Sequence, residues 1–478
     1  MTAEIWDVII VGAGLSGLSA AHLLRKRNAK LKILILEGKD RVGGRTVSTE
    51  IPAASGVDRW DMGGQWVGST QTHVLELIKE LGLETFPQFN VGKKVHHMGG
   101  PDAKVRTYRT SIPALSPVVL MDLTQLLWKV RQQTYTAISL CVEDPSRTPN
   151  AVELDSMTLH SYMEQHAWTA ELKEEMGLCS RSVFGMEPSQ MSFLFFLMYA
   201  AAAGGVLQLL ESAPGSAQEL KIKGGTQQLS QCLADRVGWK NVRLGSAVTA
   251  IWQVEYSNTK IHYHPALPSQ REFLTQNMPV GHMIKFIITY QTAFWKEKGF
   301  SGEIVAGSSS ECPFCVTFDA TSPSGNAALV GFIAGQQASR WSSEERRTAV
   351  FSSLVKYLGP EAASFLHYEE KDWAKEDYSG GCPVNVMAPG LLTYYHPSLR
   401  NPFGRIHWAG TETATLWCGY MSGAVQAGQR AALEVLAELC PMTLTQEEQE
   451  AMQHSQTIKG AAKQTPSSKR TCKAGVKV

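Results

Sequence analysis

The sequence predicts an α/β protein built around a parallel sheet, and three consecutive segments near its start support this prediction. Residues 5–11 form an apolar, β-branched run, which is typical of a strand that is buried on both faces. Residues 15–27 place leucines on one helical stripe, and residues 31–36 form a second strand-like run. A strand, a helix and a strand in this order predict a βαβ unit with parallel strands.

The composition indicates a globular protein of more than one domain. A chain of 478 residues, with 44% hydrophobic and 19% charged residues, can bury a large core and divide into two or three domains. The 45 lysines and arginines balance 44 aspartates and glutamates, so no net field attracts nucleic acid, and we expect no such partner. The nine cysteines lack the spacing of a small disulfide scaffold, which favours reduced thiols.

One apolar stretch requires a choice between a membrane span and a buried helix. Residues 193–210 approach the length that a bilayer needs, but Gly204, Gly205 and Gln208 interrupt them and no basic cluster flanks them. A buried core helix is therefore the preferred interpretation. The chain begins without a signal-peptide pattern and ends without an apolar tail. We expect no transmembrane anchor and a cytoplasmic location, with association with mitochondria left open.

The order of patterns along the chain predicts a discontinuous domain with a second domain inserted into it. Residues 70–215 are mainly helical in pattern, strand-like runs occur at 242–252 and 283–290, and a strand, a glycine turn and a helix follow within 405–439. We predict a nucleotide-binding domain, a substrate domain of mixed sheet and helices, and a disordered basic tail. Their respective ranges are 1–90, 215–260 and 376–440; 91–214 and 261–375; and 441–478.

A glycine motif at the end of the first predicted strand indicates a Rossmann-like dinucleotide site. Gly12, Gly14 and Gly17 form a G-x-G-x-x-G pattern, which allows a tight turn, close approach of a pyrophosphate and close packing of helix on strand. The phosphates would lie at the positive end of the helix dipole. Glu37 follows the second strand, where a carboxylate can accept hydrogen bonds from a ribose hydroxyl. This element alone does not distinguish NAD from FAD.

Four further segments do distinguish the two cofactors. A second glycine turn, residues 40–45, ends in Arg45, whose guanidinium can fork onto phosphate oxygens. The other segments are residues 61–66 (DMGGQW), 378–382 (YSGGC) and 408–424 (WAGTETATLWCGYMSGA). Together they resemble the flavin-binding motifs of the flavin amine oxidases, a family that includes the monoamine and polyamine oxidases. The resemblance is closest to monoamine oxidases, and it extends from about residue 5 to residue 440.

The resemblance implies a glutathione-reductase-type FAD domain and the oxidative deamination of small primary amines. The amine would be oxidised to an imine, O2 would be reduced to hydrogen peroxide, and water would then release an aldehyde and ammonia. It also implies that Cys382 is bonded to the flavin as a thioether. The residues implied to contact FAD are Gly12, Gly14, Gly17, Glu37, Arg45, Gly63, Gly64, Gln65, Trp66, Val248, Trp373, Cys382, Gly410, Thr411, Glu412 and Met421.

Lys285 and Tyr420 are the catalytic residues that the resemblance implies. Lys285 matches the family lysine that binds a water near flavin N5. Tyr420 matches one wall of the aromatic pair that orients the amine in front of the flavin. The implied substrate pocket consists of Leu178, Leu210, Gln218, Pro383 and Tyr420.

Two departures from the family pattern affect these expectations. Pro383 stands where monoamine oxidases carry the second aromatic wall, so stacking on one face of the amine is lost. After Lys260 the chain lacks a segment that relatives carry, which includes a strand of the FAD domain. Loss of that strand would expose backbone donors and acceptors of its neighbours, and it predicts weakened folding or FAD binding.

The sequence leaves alternatives to a monoamine oxidase open. A polyamine or diamine oxidase would need acidic residues along its substrate tunnel, and the sequence alone does not locate them. A catalytically impaired, flavin-binding form is another alternative. For any of these functions, the sequence leaves a homodimeric assembly open. No metal site is expected, because neither the pair Cys312 and Cys315 nor the pair His262 and His264 is joined by further ligands at suitable spacing.

Overall fold

The computed structural model describes residues 4–100, 102–110, 112–137, 142–252, 261–307, 309 and 311–451. It confirms a mixed α/β fold. The strands are β1 (Val8–Val11), β2 (Ile33–Leu36), β3 (Ser48–Ala53), β4 (Gly56–Asp61), β5 (Trp66–Val67), β6 (Thr85–Pro87), β7 (Lys93–His97), β8 (Arg106–Tyr108), β9 (Leu220–Ile222), β10 (Val242–Arg243), β11 (Ala250–Trp252), β12 (His262–His264), β13 (Met283–Tyr290), β14 (Phe300–Ala306), β15 (Val316–Asp319), β16 (Ala327–Ala334) and β17 (Phe365–Asp372).

Helices occupy most of the chain between β8 and β9, and others cover the sheets. They are α1 (Leu15–Arg27), α2 (Thr72–Glu80), α3 (Pro117–Ala137), α4 (Ala151–Ser156), α5 (Leu159–His166), α6 (Ala170–Phe184), α7 (Phe193–Ala202), α8 (Val206–Leu210), α9 (Gln227–Val237), α10 (Ser269–Gln276), α11 (Phe294–Glu297), α12 (Gln336–Arg340), α13 (Ser343–Leu358), α14 (Leu391–Tyr395), α15 (Pro397–Arg400) and α16 (Met421–Leu439).

The predicted βαβ unit is present at the start of the chain. β1 pairs in parallel with β2, which pairs in parallel with β10 on its other edge. The buried leucines and alanines of α1 share one core with the apolar sides of α9 and α16. Because β1 and β2 are parallel, the turns that follow them lie at the same edge of the sheet, where a dinucleotide binds in such folds.

The expectation that the first strand is buried on both faces is wrong. Ile9 is 55% exposed and Val11 is 46% exposed, and among the described residues β1 pairs with β2 alone. The strand predicted at 405–409 does not form, because no described strand lies beside it to take its backbone hydrogen bonds. Within the described part of the chain, one edge of β1 therefore has no strand partner, and the sequence analysis expected exposed backbone groups of this kind beside the missing strand.

The strand-like run at 242–252 divides into two short strands. Its first part is β10, and its last part is β11, which pairs in parallel with β12. Since β12 begins at His262, two residues beyond the junction at Lys260, a three-residue strand follows the missing segment directly. This small ladder is separate from the sheet that contains β1.

A seven-stranded sheet forms the other half of the molecule, in the order β17-β13-β16-β15-β14-β7-β8. Its neighbours are antiparallel except for β14 and β7. All eight residues of β13 are buried, and this strand has the predicted bounds. Successive side chains of β13 alternate between two clusters, one shared with α13 and one shared with α6, as the two-residue period of a strand requires.

The predicted core helix is confirmed within the apolar stretch 193–210. It forms α7, which is buried along nearly its whole length, and the short α8. No helix in the described part of the chain is long and apolar enough to cross a membrane. The expectation of a mainly helical region from residue 70 is wrong for residues 85–108, because these supply β6, β7 and β8 as strands to two sheets.

The first residues of the predicted disordered tail are ordered, which corrects that boundary. Residues 441–443 form a 3-10 turn and residues 446–451 are helical. Arg27 donates a hydrogen bond of 3.0 Å to the carbonyl of Thr443 and forms an ion pair with Glu448. Leu444 is buried against the core formed by α1 and α16. The rest of the tail lies outside the described residues.

Candidate active site

A cavity of about 1470 Å³ extends from the turns after β1 and β2 to the seven-stranded sheet and the helices beside it. It is lined by every residue that the sequence analysis assigned to the site, with the exception of Glu412. These residues are Gly12, Gly14, Gly17, Glu37, Arg45, Gly63, Gly64, Gln65, Trp66, Leu178, Leu210, Gln218, Val248, Lys285, Trp373, Cys382, Pro383, Gly410, Thr411, Tyr420 and Met421.

The glycine turn after β1 leaves room for a ligand. A Cβ atom on Gly12 or Gly14 would meet no atom within 4 Å, whereas one on Gly17 would lie 2.2 Å from the carbonyl oxygen of Gly12. Gly17 therefore serves the packing of α1, and the other two glycines keep the backbone accessible. Glu37 accepts hydrogen bonds from the backbone N–H groups of Ala13 at 2.7 Å and Lys39 at 3.0 Å, which fixes its carboxylate beside the turn.

Arg45 lines the cavity with its guanidinium already paired. It donates to Glu412 Oε1 at 2.6 Å and Oε2 at 3.0 Å, and to the carbonyl of Pro383 at 2.8 Å. Burial alone would lower the pKa of Arg45, but the carboxylate of Glu412 raises it above its ordinary value. Arg45 is thus a fixed cation at the cavity wall, and its contact with phosphate oxygens stays a prediction. Glu412 does not line the cavity and is joined to it through this ion pair.

Lys285 is the buried amine of the site. It projects from β13, is 2% exposed, and donates hydrogen bonds to the carbonyl of Gly63 at 3.0 Å and to Gln65 Oε1 at 2.8 Å. Burial lowers the pKa of Lys285 to about 7, although Asp61 and Cys382 act in the opposite direction. A lysine that is partly uncharged at neutral pH is unusual, and such groups concentrate at functional sites.

Gln65 and Cys382 lie beside this lysine. The Nε2 atom of Gln65 is buried and has no hydrogen-bond partner among the described residues, so it presents an unused donor in the cavity wall. The thiol of Cys382 is buried, and burial raises its pKa to about 12 against the opposing charges of Arg45 and Lys285. Trp373 supports this wall by donating from its indole to the carbonyl of Met62 at 2.9 Å.

Tyr420 belongs to a group of aromatic rings that the sequence analysis identified only in part. Its ring lies 5.0 Å from that of Trp417 and 6.1 Å from that of Tyr199, which projects from α7 into the same cavity. Burial raises the pKa of Tyr420 and of Tyr199. Sequence reasoning missed Tyr199 because it lies in an apolar run that reads as core. A tyrosine among phenylalanines and alanines was the available signal, since a buried hydroxyl needs a partner.

The pocket residues come from three separate elements. Leu178 lies on α6, Leu210 lies at the end of α8, and Gln218 follows in the loop before β9. Gln218 donates from Nε2 to the carbonyl of Leu209 at 3.1 Å, and its Oε1 atom has no hydrogen-bond partner among the described residues. The pocket therefore combines an apolar wall with one available acceptor, a common arrangement for recognition of a small polar molecule.

The residue pairs considered for metal binding do not form a ligand cluster. Cys312 and Cys315 direct their sulfur atoms to the carbonyls of Phe314 and Phe332, respectively. Across the residues that the structure describes, no group of three histidine, cysteine, aspartate or glutamate side chains could hold a metal ion.

A dinucleotide turn, a second glycine turn and a cavity with a buried lysine define a flavin-dependent oxidoreductase. The profile of the family described as "Flavin containing amine oxidoreductase" matches residues 15–264 and 254–436. The chain belongs to this family, and it is a flavin-dependent amine oxidase of the monoamine oxidase type. The two matched segments meet at residues 254–264, where the sequence analysis located the missing segment.

Curated relatives and solved structures resemble the chain over most of its length. It is 37% identical to the flavin-containing amine oxidase of Oncorhynchus mykiss, over 92% of this chain and 87% of that protein. It is also 37% identical to the flavin-containing amine oxidase A of Bos taurus, over 91% of this chain and 86% of that protein.

Among solved structures, cyclohexylamine oxidase from Brevibacterium oxydans superposes with a TM-score of 0.83 at 31% identity, covering 91% of this chain and all of that one. A putrescine oxidase bound to putrescine superposes with a TM-score of 0.83 at 28% identity, covering 90% and 99%.

Proposed function

We propose that the protein oxidises small primary amines with FAD as electron acceptor and O2 as final oxidant. The overall reaction converts R-CH2-NH2, O2 and H2O into R-CHO, NH3 and H2O2. The observation that carries this proposal is the buried amine of Lys285, which shares one cavity with Gln65, Cys382 and Tyr420. Relatives described as flavin-containing amine oxidases support it, and the solved relatives named for cyclohexylamine and putrescine make amines the natural substrate class.

The residues present fit FAD. The open space at Gly12 and Gly14 suits a pyrophosphate, the carboxylate of Glu37 suits a ribose hydroxyl, and the unused Nε2 donor of Gln65 suits a polar edge of the flavin ring. When bound, FAD supplies the oxidising power, because it accepts two electrons from the amine and passes them to O2. Every other contribution comes from side chains that position the amine and exclude water.

Lys285 contributes a hydrogen-bonding group of adjustable charge. With a pKa near 7, its Nζ atom is partly uncharged at neutral pH and can accept a hydrogen bond as well as donate one. The carbonyl of Gly63 and the amide of Gln65 fix its position. We infer that it holds a water or a proton next to the reacting centre, as a buried lysine of lowered pKa is suited to do.

Tyr420 orients the amine from one side. Its ring, supported by Trp417 and Tyr199, presents an aromatic face that attracts the positive end of the amine and packs on its carbon chain. Pro383 lines the cavity at the position that the resemblance assigns to the second aromatic wall. The cage is thus one-sided, and it should admit broader alkyl and aryl groups than a slot between two parallel rings.

Anaerobic mixing with a primary amine tests this function. We expect n-hexylamine or benzylamine to bleach the flavin absorbance of the FAD-loaded protein, and aerobic turnover to release hydrogen peroxide. Lys285→Met should lower kcat/KM about 10- to 100-fold with FAD content unchanged. Lys221→Met is the matched control, because Lys221 is also a buried lysine of lowered pKa but does not line the cavity. A flavin that no amine bleaches would contradict the proposal.

We further propose that Cys382 is bonded covalently to the flavin. The thiol lines the cavity together with Lys285, and the charges of Arg45 and Lys285 act against the effect of burial by lowering its pKa. Acid precipitation should leave yellow colour in the protein pellet, and Cys382→Ser should release it to the supernatant. A colourless wild-type pellet would exclude the bond without affecting the oxidase proposal.

A flavin-binding form with impaired catalysis is the second candidate. The open edge of β1 and the exposed side chains of Ile9 and Val11 favour it, because they border the end of the cavity where the dinucleotide would lie. This candidate predicts a protein that binds FAD reversibly and weakly, so that gel filtration without added FAD yields colourless protein. Retention of one FAD per chain through gel filtration would exclude it.

A further inference from the structure

A row of side chains crosses the seven-stranded sheet from the reacting end of the cavity. Lys285 on β13 is paired with Phe332 on β16, Phe332 with Val316 on β15, and Val316 with Val305 on β14. Val305 is in turn paired with His96 on β7. Paired residues lie on the same face and strands lie about 4.8 Å apart, so the three to four steps from Lys285 span roughly 14–19 Å.

Two carboxylates line the cavity at the far end of this row. Glu303 precedes Val305 by two residues on β14, so both side chains lie on the same face of the sheet. Glu175 lies on α6, one helical turn before Leu178, and its contact with His96 brings it to the same place. Glu175 is 8% exposed, and the side chain of Glu303 is 12% exposed.

The two carboxylates have a histidine, a lysine and a tyrosine as partners. Glu175 contacts the Nε2 atom of His96, and Lys94 Nζ lies 2.8 Å from Glu303 Oε2. Tyr108 donates a hydrogen bond of 3.3 Å to Glu303 Oε1, so each oxygen of Glu303 has one partner among the described residues. Two carboxylates therefore face one lysine, one histidine and one tyrosine hydroxyl at this end of the cavity.

A purely structural role does not account for this group. The neighbouring cavity wall is apolar, with Leu123, Leu127, Leu172 and Met176. Buried ion pairs rarely stabilise a protein more than apolar side chains of similar size, because desolvation offsets their attraction. Charged groups retained on the wall of a ligand cavity therefore point to recognition of a ligand.

We propose that Glu175 and Glu303 bind a second cationic nitrogen of the substrate, so that long α,ω-diamines and related polyamines are preferred over alkyl monoamines. This inference rests on the proposed amine oxidation at the Lys285 end. Side chains at both ends reach toward the ligand, so nitrogens about 10–13 Å apart would bridge the two sites. An extended chain advances about 3.4 Å per three bonds, which corresponds to roughly nine to eleven bonds between the nitrogens.

Substrate profiles of the FAD-loaded enzyme test this proposal. We would measure kcat/KM for 1,4-diaminobutane, 1,8-diaminooctane and 1,10-diaminodecane, each against the n-alkylamine of equal length. At eight carbons we expect the diamine to exceed the monoamine at least about tenfold, and at four carbons we expect no such advantage. Equal values for diamine and monoamine at eight and ten carbons would overturn the proposal without any variant.

Variants that remove one charge test whether Glu175 and Glu303 cause the preference for the diamine. Glu175→Gln and Glu303→Gln should each reduce the ratio of kcat/KM for 1,8-diaminooctane to that for octylamine about tenfold. Glu174→Gln is the matched control on the same helix, because Glu174 does not line the cavity. An unchanged ratio in both cavity variants, with octylamine still oxidised, would overturn the proposal.

A binding measurement distinguishes failure of the second-nitrogen site from failure of the amine oxidase proposal. If no amine bleaches the flavin, the amine oxidase proposal fails, and calorimetry on the holoprotein still decides the second site. Tighter binding of 1,8-diaminooctane than of octylamine, lost in Glu303→Gln, would support the site. Equal binding of the two would overturn it.

Discussion

β1 and β13 are both apolar strands, but only one of them is enclosed. Each residue of β13 is buried, and β16 and β17 pair with its two edges. In β1 alternate residues are exposed, and among the described residues one edge has no neighbour. An apolar pattern therefore predicts that a strand is suited to burial, but it does not show that neighbouring elements bury it.

Because β13 is enclosed and β1 is not, we expect the two sheets to contribute unequally to the stability of the molecule. The seven-stranded sheet holds Lys285 in a dry wall between packed strands, so the reacting end of the cavity is rigid and buried. The three-stranded sheet holds the nucleotide turn with one open edge. We therefore expect substitutions in the larger sheet to cost folding free energy, and substitutions near β1 to act mainly on FAD binding and association.

Truncation of matched isoleucines should produce the largest effect. Ile287 is fully buried in β13, so Ile287→Ala should lower the free energy of unfolding by about 2–5 kcal/mol. Ile9→Ala removes the same atoms from a side chain that is 55% exposed, and it should cost under about 1 kcal/mol. Urea unfolding of both variants measures the two costs, and equal destabilisation would contradict the comparison.

The pH dependence of stability should reveal the buried Lys285. Its pKa is about 7 in the folded protein and 10.5 ordinarily, so between these values the unfolded chain binds more protons and the free energy of unfolding rises with pH. Lys285→Met should remove about 1–4 kcal/mol of this rise. Unfolding of both proteins at pH 7 and pH 9.5 measures this rise. An equal rise in the wild type and the variant would refute the prediction.

Two glycines of the turn after β1 should separate folding from FAD binding. Gly14→Ala places a methyl group in open space, so apoprotein stability should stay unchanged while FAD affinity falls about tenfold, or about 1.4 kcal/mol. Gly17→Ala places it 2.2 Å from a carbonyl oxygen and should destabilise the apoprotein by about 1–3 kcal/mol. FAD titrations and apoprotein unfolding distinguish them, and loss of apoprotein stability in the Gly14 variant would be the contrary result.

The sequence predicted those parts of the site that depend on local motifs. The glycine turn, Glu37, Lys285 and the segment around Tyr420 all line the cavity. Each belongs to a short pattern whose chemistry follows from residues next to one another, and β13 follows from one continuous apolar run. Such signals do not depend on which distant elements become neighbours.

The remaining features arise from distant pairings that no local pattern contains. Glu175 and Glu303 line the same part of the cavity only because α6 contacts β7 and β7 pairs with β14. Tyr199 faces Tyr420 only because α7 lies beside the start of α16. The exposure of Ile9 depends on a neighbour that β1 does not have among the described residues, and an apolar run gives no sign of that.

A charge on the open edge of β1 should have the smallest effect on stability and a clear effect on association. An unpaired apolar edge is a template for pairing with another chain, and a lysine on it opposes such pairing. Ile9→Lys should change the free energy of unfolding by under about 0.5 kcal/mol, because the side chain is largely in solvent. Light scattering against concentration should show less association than in the wild type.

Val57→Lys supplies the control for this effect of charge. Val57 is 62% exposed on β4, whose described partner is β3 and which belongs to a different sheet from β1. If the open edge of β1 drives association, the Ile9 variant should suppress it and the Val57 variant should leave it unchanged. Equal suppression by both variants would mean that net charge controls association. The edge of β1 would then contribute no more to association than the rest of the surface.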